Sequence, residues 1–361
     1  MSDELKASCF DSSLITHHSS LVKTVSDDKT TSGERLAALV RAFARRRVLV
    51  VGDLVADQFV FGEISRVSRE APVMILRHER TETVPGGAAN CAMNLASLGA
   101  RAAIVGVVGD DEAGRELLAR LKGAGVDCGG VAVNAKQRTT TKVRLLAGHA
   151  HSPRQQVIRL DYEGAPLADE EICGRIAHAV AGRSRGADAV IISDYNYGVA
   201  NDETLAAVRE RAGVVPVLVD SRFRLGEFEG FTSATPNEDE VEQVVGRRLE
   251  TEGELAEEGE RLRERLGLAS LLITRGRNGM LLVERGREPL PLEAVGTHDA
   301  VDVTGAGDTV IATYALALAS GGDAGDAARL ANHAGGIVVL KRGTACVHAD
   351  ELVASVLGEG V

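Results

Sequence analysis

Short apolar runs alternate with longer amphipathic stretches along most of the chain. The runs at 48–51, 103–107, 189–192, 217–219 and 270–274 are rich in valine, isoleucine and leucine, which is typical of strands covered on both faces. Between them, apolar positions recur at helical intervals and predict helices at 88–98, 113–124, 169–181 and 202–211. This alternation predicts an α/β fold with a mainly parallel sheet and helices on both faces.

Two regions break this pattern. Residues 57–78 and 139–160 contain alternating apolar and polar positions without an intervening helix. Such strands are half exposed, so we expect them to form a small antiparallel sheet beside the main one. This predicted lid or dimer surface takes in about 57–79 and 138–163.

The two ends of the chain differ in character. Residues 1–33 are rich in serine, threonine and aspartate and lack periodicity, which predicts a disordered leader. The periodic segment 34–46 predicts a helix that opens a single domain over 34–361. Further helices are predicted at 308–320 and 324–339.

Composition narrows the class of protein. The chain has 361 residues with 44% hydrophobic and 26% charged positions, no apolar span of membrane length and no signal peptide pattern, which favours a cytoplasmic location. Its five cysteines form no CxxC pair, so neither a disulfide framework nor a zinc site is indicated. A net charge of −11 without a basic tract argues against nucleic acid. An anionic small substrate stays compatible, because helix N-termini can bind one.

The strongest chemical signal is the segment DVTGAGDT at 302–309, next to an apolar helix. Two glycines around a small residue let backbone N–H groups converge on an anion, and the helix N-terminus adds positive charge. A phosphoryl group in transfer is such an anion, and a neighbouring acid can accept the proton of the attacking hydroxyl. Asp308 is therefore a candidate general base, although an N-cap role explains the same placement.

Two further segments offer polar groups to a sugar. PGGAAN at 85–90 places paired glycines before a helix, where a ligand can approach the backbone, and Asn90 adds an amide donor and acceptor. A plain glycine turn with a helical asparagine explains the same residues. GDLVAD at 52–57 follows the first strand, and open parallel sheets bind ligands outside the carboxyl ends of their strands. Asp57 is thus a candidate acceptor for sugar hydroxyls, with a surface turn as the alternative.

Two other segments suit a nucleotide. TPNEDE at 235–240 sets Asn237 and Glu240 three positions apart at a helix start, where both point the same way. Such oxygens hold Mg²⁺ through its retained waters, while helix capping by Asn237 also accounts for them. ITRGRNG at 273–279 follows a buried strand and is typical of a nucleotide-edge loop. The chain has no GxxxxGK[ST] loop and no complete GxGxxG, so phosphate must be held in another way.

Taken in order, these segments resemble the ribokinase (PfkB) family of sugar kinases from Arg45 onward. The resemblance implies a ribokinase-like three-layer sandwich whose β-lid often clasps a dimer. It also implies ATP and Mg²⁺ as cofactors and, in some members, a monovalent cation such as K⁺. The implied roles are a catalytic base at Asp308, an anion hole at Gly305, Ala306 and Gly307, sugar contacts at Asp57, Gly86, Gly87 and Asn90, a magnesium-linked pair at Asn237 and Glu240, an ATP edge at Thr274, Gly276 and Asn332, and a monovalent cation site at Asp302 and Thr304.

Within that family, the chain is most similar to kinases of D-glycero-β-D-manno-heptose 7-phosphate. The segments that carry this likeness are 65–73, 85–98, 139–142, 155–161 and 193–195. The likeness implies phosphorylation of the anomeric hydroxyl to the 1,7-bisphosphate, with Asp194 and Arg222 at the substrate.

Three departures from that pattern bear on the substrate. SDYNYG at 193–198 replaces the usual SDYGKG and loses a lysine, DSR at 220–222 replaces DPK, and residues 149–153 are inserted. Loss of the lysine weakens attraction for a 7-phosphate. Arg222 keeps a positive charge that can bind phosphate bidentately.

Three functions are consistent with these observations. They are a heptose-phosphate kinase, a kinase of the same mechanism for another sugar, sugar phosphate or nucleoside, and a non-catalytic regulator that binds a sugar or nucleotide. The presence of Asp308 within its glycine turn argues against the non-catalytic regulator. The expected partners are a small-molecule sugar phosphate and a second copy of the chain through the lid, with neither nucleic acid nor membrane.

Overall fold

The structure is a computed structural model that describes residues 32–148, 154–296 and 300–358. Its strands are β1 (Arg47–Gly52), β2 (Leu54–Val67), β3 (Met74–Gly87), β4 (Arg101–Gly109), β5 (Asp127–Asn134), β6 (Thr141–Gly148), β7 (Gln155–Tyr162), β8 (Ala189–Asp194), β9 (Val217–Ser221), β10 (Ser233–Ala234), β11 (Ser270–Thr274), β12 (Met280–Glu284) and β13 (Leu290–Leu292). Its helices are α1 (32–42), α2 (Ala88–Ser97), α3 (Glu112–Gly123), α4 (Glu170–Ser184), α5 (Asp202–Arg209), α6 (Glu238–Val245), α7 (Glu252–Arg265), α8 (Ala306–Ala319), α9 (Ala324–Val338) and α10 (Ala349–Leu357). Within these ranges no helix has both the length and the apolar character needed to cross a membrane.

The main sheet has the strand order β13-β12-β11-β10-β9-β8-β1-β4-β5. Its neighbours pair in parallel except for β11 with β12 and β12 with β13. Successive residues of β1 enter different cores: Val48 and Val50 lie in one apolar cluster, Leu49 and Val51 in the other. Both faces are therefore covered, which explains why these strands are uninterrupted apolar runs. The predicted α/β sandwich with a mainly parallel sheet is confirmed.

The strand order reverses between β1 and β8. From β1 the chain moves outward through β4 and β5, then returns to the opposite side of β1 and continues through β8, β9, β10 and β11. Such a reversal leaves a crevice outside the carboxyl ends of the two adjacent strands, and open α/β sheets bind their ligands there. The topology thus directs the loops after β1, β8, β9 and β11 to one place.

A second sheet has the order β3-β2-β6-β7 and corresponds to the predicted lid. Pairs β2/β3 and β6/β7 are antiparallel, whereas β2 and β6 are parallel. The lid is therefore a mixed sheet and not the antiparallel sheet that was predicted, because the chain passes through the main sheet between the two halves of the lid. At the root of the lid, Val55 pairs with Gly86 and Asp57 pairs with Val84. The edge strand β7 is exposed along its whole length.

The sequence pattern missed the strands β5, β10, β12 and β13. Two glycines interrupt β5, β10 has only two residues, and β13 contains a proline. Predicted helix ends lie within four residues of the observed ones. The predicted leader lies outside the described residues except for 32 and 33, which belong to α1, and the insertion at 149–153 also lies outside them.

Candidate active site

A cavity of 820 Å³ occupies the crevice between the lid and the main sheet. Its size is in the range of small-molecule sites. Side chains from the lid and loops from the carboxyl edge of the sheet both line it. The predicted site residues among its lining are Asp57, Gly86, Gly87, Asp194, Arg222, Asn237, Glu240, Thr274, Thr304, Gly305, Gly307 and Asp308.

Asp308 lies in the first turn of α8 and is 5% exposed. Its Oδ2 accepts a hydrogen bond from Nδ2 of Asn90 at 2.7 Å. Its Oδ1 is buried and has no hydrogen-bond partner in the described part of the chain. The N-cap interpretation is wrong, because α8 begins two residues earlier than predicted and Gly305 occupies the N-cap position. One carboxylate oxygen is therefore left for a ligand hydroxyl.

The surroundings of Asp308 change its proton affinity. Burial raises the pKa of Asp308 to about 7, the hydrogen bond from Asn90 lowers it, and the charge of Asp57 raises it further. A carboxylate whose pKa lies near neutral pH is suited to general base catalysis. The charge of Asp308 and then burial raise the pKa of Tyr195 well above its ordinary value, so this phenol stays protonated.

The start of α8 offers donors to an anion. Gly305 has a φ of 78°, and a Cβ at this position would lie 2.5 Å from Nδ2 of Asn90. The N–H of Ala306 donates to the carbonyl of Val303 at 3.2 Å. The N–H groups of Gly307 and Asp308 have no acceptor within the helix by their position in its first turn. Together with the helix dipole, they can hold a phosphoryl group.

Asn90 supports Asp308 from behind the cavity wall. It is 1% exposed, and its amide bonds Asp308 on α8 and Asn94 on its own helix. A second link between the same helices joins Thr309 Oγ1 to Asn94 Oδ1 at 2.9 Å. The sequence suggested that Asn90 offers its amide to a sugar, but the protein itself uses that amide, so we reinterpret Asn90 as orienting Asp308.

The root of the lid contributes a buried ion pair. Arg144 of β6 pairs with Asp57 of β2, and their side chains are 15% and 9% exposed. A Cβ on Gly86 would overlap the Asp57 carboxylate, so only glycine leaves room for the pair. Gly87 has a φ of 57°, and a Cβ there would lie 2.8 Å from the carbonyl of Asp53. Both glycines therefore shape the wall around Asp57.

Asp194 has a different role from the predicted sugar contact. Its carboxylate is fully buried and bonds Arg224 at 2.7 Å and Ser221 at 2.7 Å. Because these partners and the N–H of Asn196 use its acceptors, the carboxylate anchors its own loop. Arg222 lines the cavity, and its contact with the substrate stays a prediction.

Asn237, Glu240 and Asp220 contribute a further group of polar side chains to the cavity lining. Asn237 Oδ1 accepts from the Glu240 N–H at 2.8 Å, and the Glu240 carboxylate accepts from the Asn237 N–H at 2.9 Å. The capping interpretation is thus correct, and both residues also line the cavity. Burial, then the charges of Glu240 and Asp308, raise the pKa of Asp220 well above its ordinary value. Two carboxylates and an amide oxygen suit Mg²⁺, whose charge would relieve this repulsion.

Several predicted nucleotide and cation contacts lie outside the cavity lining. Gly276 opens a 3₁₀ turn directly after β11, with a φ of 51°. Asn332 of α9 is buried and donates to the carbonyl of Glu293 at 2.6 Å. The Asp302 carboxylate accepts from the N–H groups of Thr304 and Gly343. The ATP and monovalent cation roles of Gly276, Asn332 and Asp302 stay predictions.

The sequence analysis missed several lining residues as site candidates, among them Lys142, Arg144, Tyr195 and Asp220. Lys142 and Arg222 lack an ion-pair partner in the ranges the structure describes, in contrast to the paired Arg144. Because side chains alternate along β6, Lys142 and Arg144 lie on the same face of the lid. The sequence shows this alternation, but it does not reveal which face of the lid lines the cavity.

The pfkB family carbohydrate kinase model matches residues 45–350. Bifunctional protein HldE of Hahella chejuensis is 43% identical over 315 residues, which cover 86% of this chain and 63% of that protein. The chain thus spans less than two thirds of the length of this curated relative.

Two solved structures share the fold. Arabidopsis thaliana ribokinase complexed with ribose and ATP has a TM-score of 0.65 at 22% identity, covering 87% of this chain and 98% of that one. Escherichia coli phosphofructokinase-2 in complex with substrates and products has a TM-score of 0.70 at 20% identity, covering 86% and 98%.

The family model covers most of the chain, and it places the protein in the class of phosphotransferases with an alcohol group as acceptor. The resemblance predicted from the motifs is thereby confirmed. The chain belongs to the pfkB family of carbohydrate kinases.

Proposed function

We propose that this kinase phosphorylates the anomeric hydroxyl of D-glycero-β-D-manno-heptose 7-phosphate and forms the 1,7-bisphosphate. The observation that carries the reaction is the side chain of Asp308, which lines the cavity at the start of α8 and whose buried Oδ1 has no hydrogen-bond partner in the described residues. The substrate is supported by the segments 65–73, 139–142 and 155–161, which resemble heptose-phosphate kinases.

In this proposal Asp308 accepts the proton of the anomeric hydroxyl while that oxygen attacks the γ-phosphorus of ATP. The new oxygen–phosphorus bond forms as the bond to the ADP oxygen breaks, and the proton remains on Asp308. The N–H groups of Gly307 and Asp308 and the dipole of α8 stabilise the negative charge on the transferring group.

The nucleotide end of the site would hold Mg²⁺ through waters bound to Asp220, Asn237 and Glu240. When bound, the ion neutralises charge on the triphosphate. Thr274, Gly276 and Asn332 are proposed to flank ATP, and Asp302 with Thr304 to bind K⁺.

Two cationic side chains in the cavity lining support an anionic sugar as the substrate. Lys142 on the lid and Arg222 on the main sheet both line the cavity without an ion-pair partner in the described ranges. A sugar phosphate and a triphosphate would supply anions for both.

A different sugar phosphate is the second candidate, and one contact favours it. Tyr197 replaces the family's usual lysine, and its hydroxyl donates to the Glu163 carboxylate at the cavity wall. The Glu163 carboxylate repels a phosphate group. The phosphate of the sugar would therefore have to bind at a different part of the cavity wall.

We also propose that two copies associate through the lid in the cytoplasm. The lid carries large apolar side chains at its two edges that are 40–56% exposed, namely Val73, Met74, Val157, Ile158, Leu160 and Tyr162. Sedimentation of the wild type and of Ile158→Lys tests this. A wild-type monomer at micromolar concentration would contradict it.

The first experiment is ATP consumption with Mg²⁺ and K⁺ against heptose 7-phosphate, sedoheptulose 7-phosphate, fructose 6-phosphate, ribose and adenosine. Selective turnover of the heptose phosphate is expected. Turnover of another acceptor would retain the mechanism and change the substrate, while no turnover on any of them would favour a binding-only regulator.

A further inference from the structure

Asp53 is a buried carboxylate at the point where the strand order reverses. It follows β1 directly and is 2% exposed. Its side chain accepts three backbone hydrogen bonds, from the N–H groups of Tyr195 at 2.8 Å, Tyr197 at 3.0 Å and Val199 at 3.2 Å. All three donors lie in one loop after β8, so a single carboxylate determines the path of that loop.

The backbone of Asp53 connects the same region to α2. Its N–H donates to the carbonyl of Ser193, and its carbonyl accepts from the N–H of Ala88, both at 3.1 Å. Ala88 is the first residue of the helix that carries Asn90, the partner of Asp308. Asp53 therefore contacts both the loop that walls the cavity and the helix that orients Asp308.

The loop held by Asp53 has an unfavourable backbone conformation. Asn196 has a φ of 65°, the left-handed region that residues other than glycine rarely occupy. Such a conformation persists when surrounding contacts fix it. The carboxylate of Asp53 bonds the residues on both sides of Asn196, which are the two tyrosines of the cavity wall.

The wall formed by this loop lies on the sugar side of the cavity. The Lys142 ammonium lies 5.5 Å from the ring centroid of Tyr195, and a Cβ on Gly87 would be 3.3 Å from that ring. The Tyr197 hydroxyl bonds Glu163, which follows the last lid strand.

We propose that Asp53 is a positioning residue for the acceptor sugar, which it serves by fixing the loop so that Tyr195 and Tyr197 form the sugar-side wall. This role rests on the proposed function. Burial raises the pKa of Asp53 to about 6, with the bonds from Tyr197 and Tyr195 acting against it, so the group is an anion at neutral pH.

The test is Asp53→Asn, in which an NH₂ group replaces one accepting oxygen and faces a backbone N–H. The KM for the sugar should rise about tenfold or more, as expected for loss of a charge-assisted hydrogen bond. The KM for ATP should change less than about twofold, because the nucleotide end lies on other strands. A matched control is Asp188→Asn, whose carboxylate accepts from the Arg47 N–H at the opposite end of β1. It should leave both KM values unchanged.

A purely structural role predicts a different pattern. Equal changes in both KM values, or a lower melting temperature with unchanged kinetics, would overturn the positioning role.

Hydrogen exchange of the wild-type kinase tests the role without a variant, in case Asp53→Asn fails to fold. The amides of Tyr195, Tyr197 and Val199 should exchange slowly before any sugar is added, and fast exchange would overturn the proposal. If no acceptor is phosphorylated by the wild type, the proposed function fails, and this exchange measurement still decides whether Asp53 holds the loop.

Discussion

The amide of Asn90 and the carboxylate of Asp308, 218 positions apart in the chain, meet through a hydrogen bond of 2.7 Å. This bond fixes one oxygen of Asp308 and leaves the other without a partner in the described residues. Burial of this carboxylate lowers the stability of the folded protein, because its charge is poorly solvated. The same poor solvation makes the carboxylate a stronger base.

Asp308→Asn should abolish phosphoryl transfer, by about a thousandfold or more, while ATP binding is retained. The variant should be at least as stable as the wild type at pH 8. Burial raises the pKa of Asp308 from 3.8 to about 7 in the folded state, so its contribution to stability falls as the pH rises from 3.8 to about 7 and is lost above 7. Turnover assays and thermal melting check both points, and near-normal turnover would exclude Asp308 as the base.

The pH dependence of kcat/KM for the sugar should show an acidic limb with a midpoint near 7. Asp308 acts as a base only when it is ionised, and its ionised fraction falls tenfold for each pH unit below its pKa of about 7. A profile that stays flat from pH 5.5 to 8 would contradict the assignment.

Arg144→Met should raise the KM for the sugar about tenfold or more, because it leaves Asp57 charged and unpaired at the lid root. The control is Arg77→Met, which removes an exposed lid arginine that lies 3.8 Å from Glu63. That substitution should have little effect, since surface pairs contribute little. Equal KM values in the two variants would show that the Arg144–Asp57 pair does not shape the sugar site.

Glu240→Gln should raise the Mg²⁺ concentration needed for half-maximal activity. Glutamine preserves the capping box with Asn237, so α6 should stay intact and the loss of charge is isolated. Glu254→Gln changes the second capping box, at α7, away from the cavity, and should leave the Mg²⁺ dependence unchanged. An equal Mg²⁺ dependence in both variants would show that Glu240 does not belong to the metal site.

Gly305→Ala should reduce turnover sharply, because its Cβ would lie 2.5 Å from the Asn90 amide and displace the partner of Asp308. Gly358→Ala is a matched control with a similar φ of 72° and, among the residues that the structure describes, no atom within 4 Å of the added Cβ. Both substitutions cost about 1 kcal/mol of backbone strain, but only the first should affect catalysis. Equal losses of turnover in the two variants would show that backbone strain alone causes the loss.

The sequence predicted the layers of the fold and a polar site around Asp308, which lines the cavity, because these depend on local patterns. Buried strands such as β1 and the glycine turn before α8 have recognisable residues. It did not predict the use of Asn90 or Asp194, since their amide and carboxylate groups are bonded to residues distant in the chain. Short or interrupted strands such as β5 and β10 depend on pairing with neighbours, which no local pattern reveals.

Asp57 and Gly86, at the root of the lid, belong to the same two strands that extend to its tip. A displacement of these strands would therefore move the Asp57 carboxylate together with the cover over the cavity. In the proposed kinase, admitting water to the cavity would then also remove a contact of the acceptor sugar, so idle hydrolysis of ATP and loss of sugar binding would be coupled through one pair of strands.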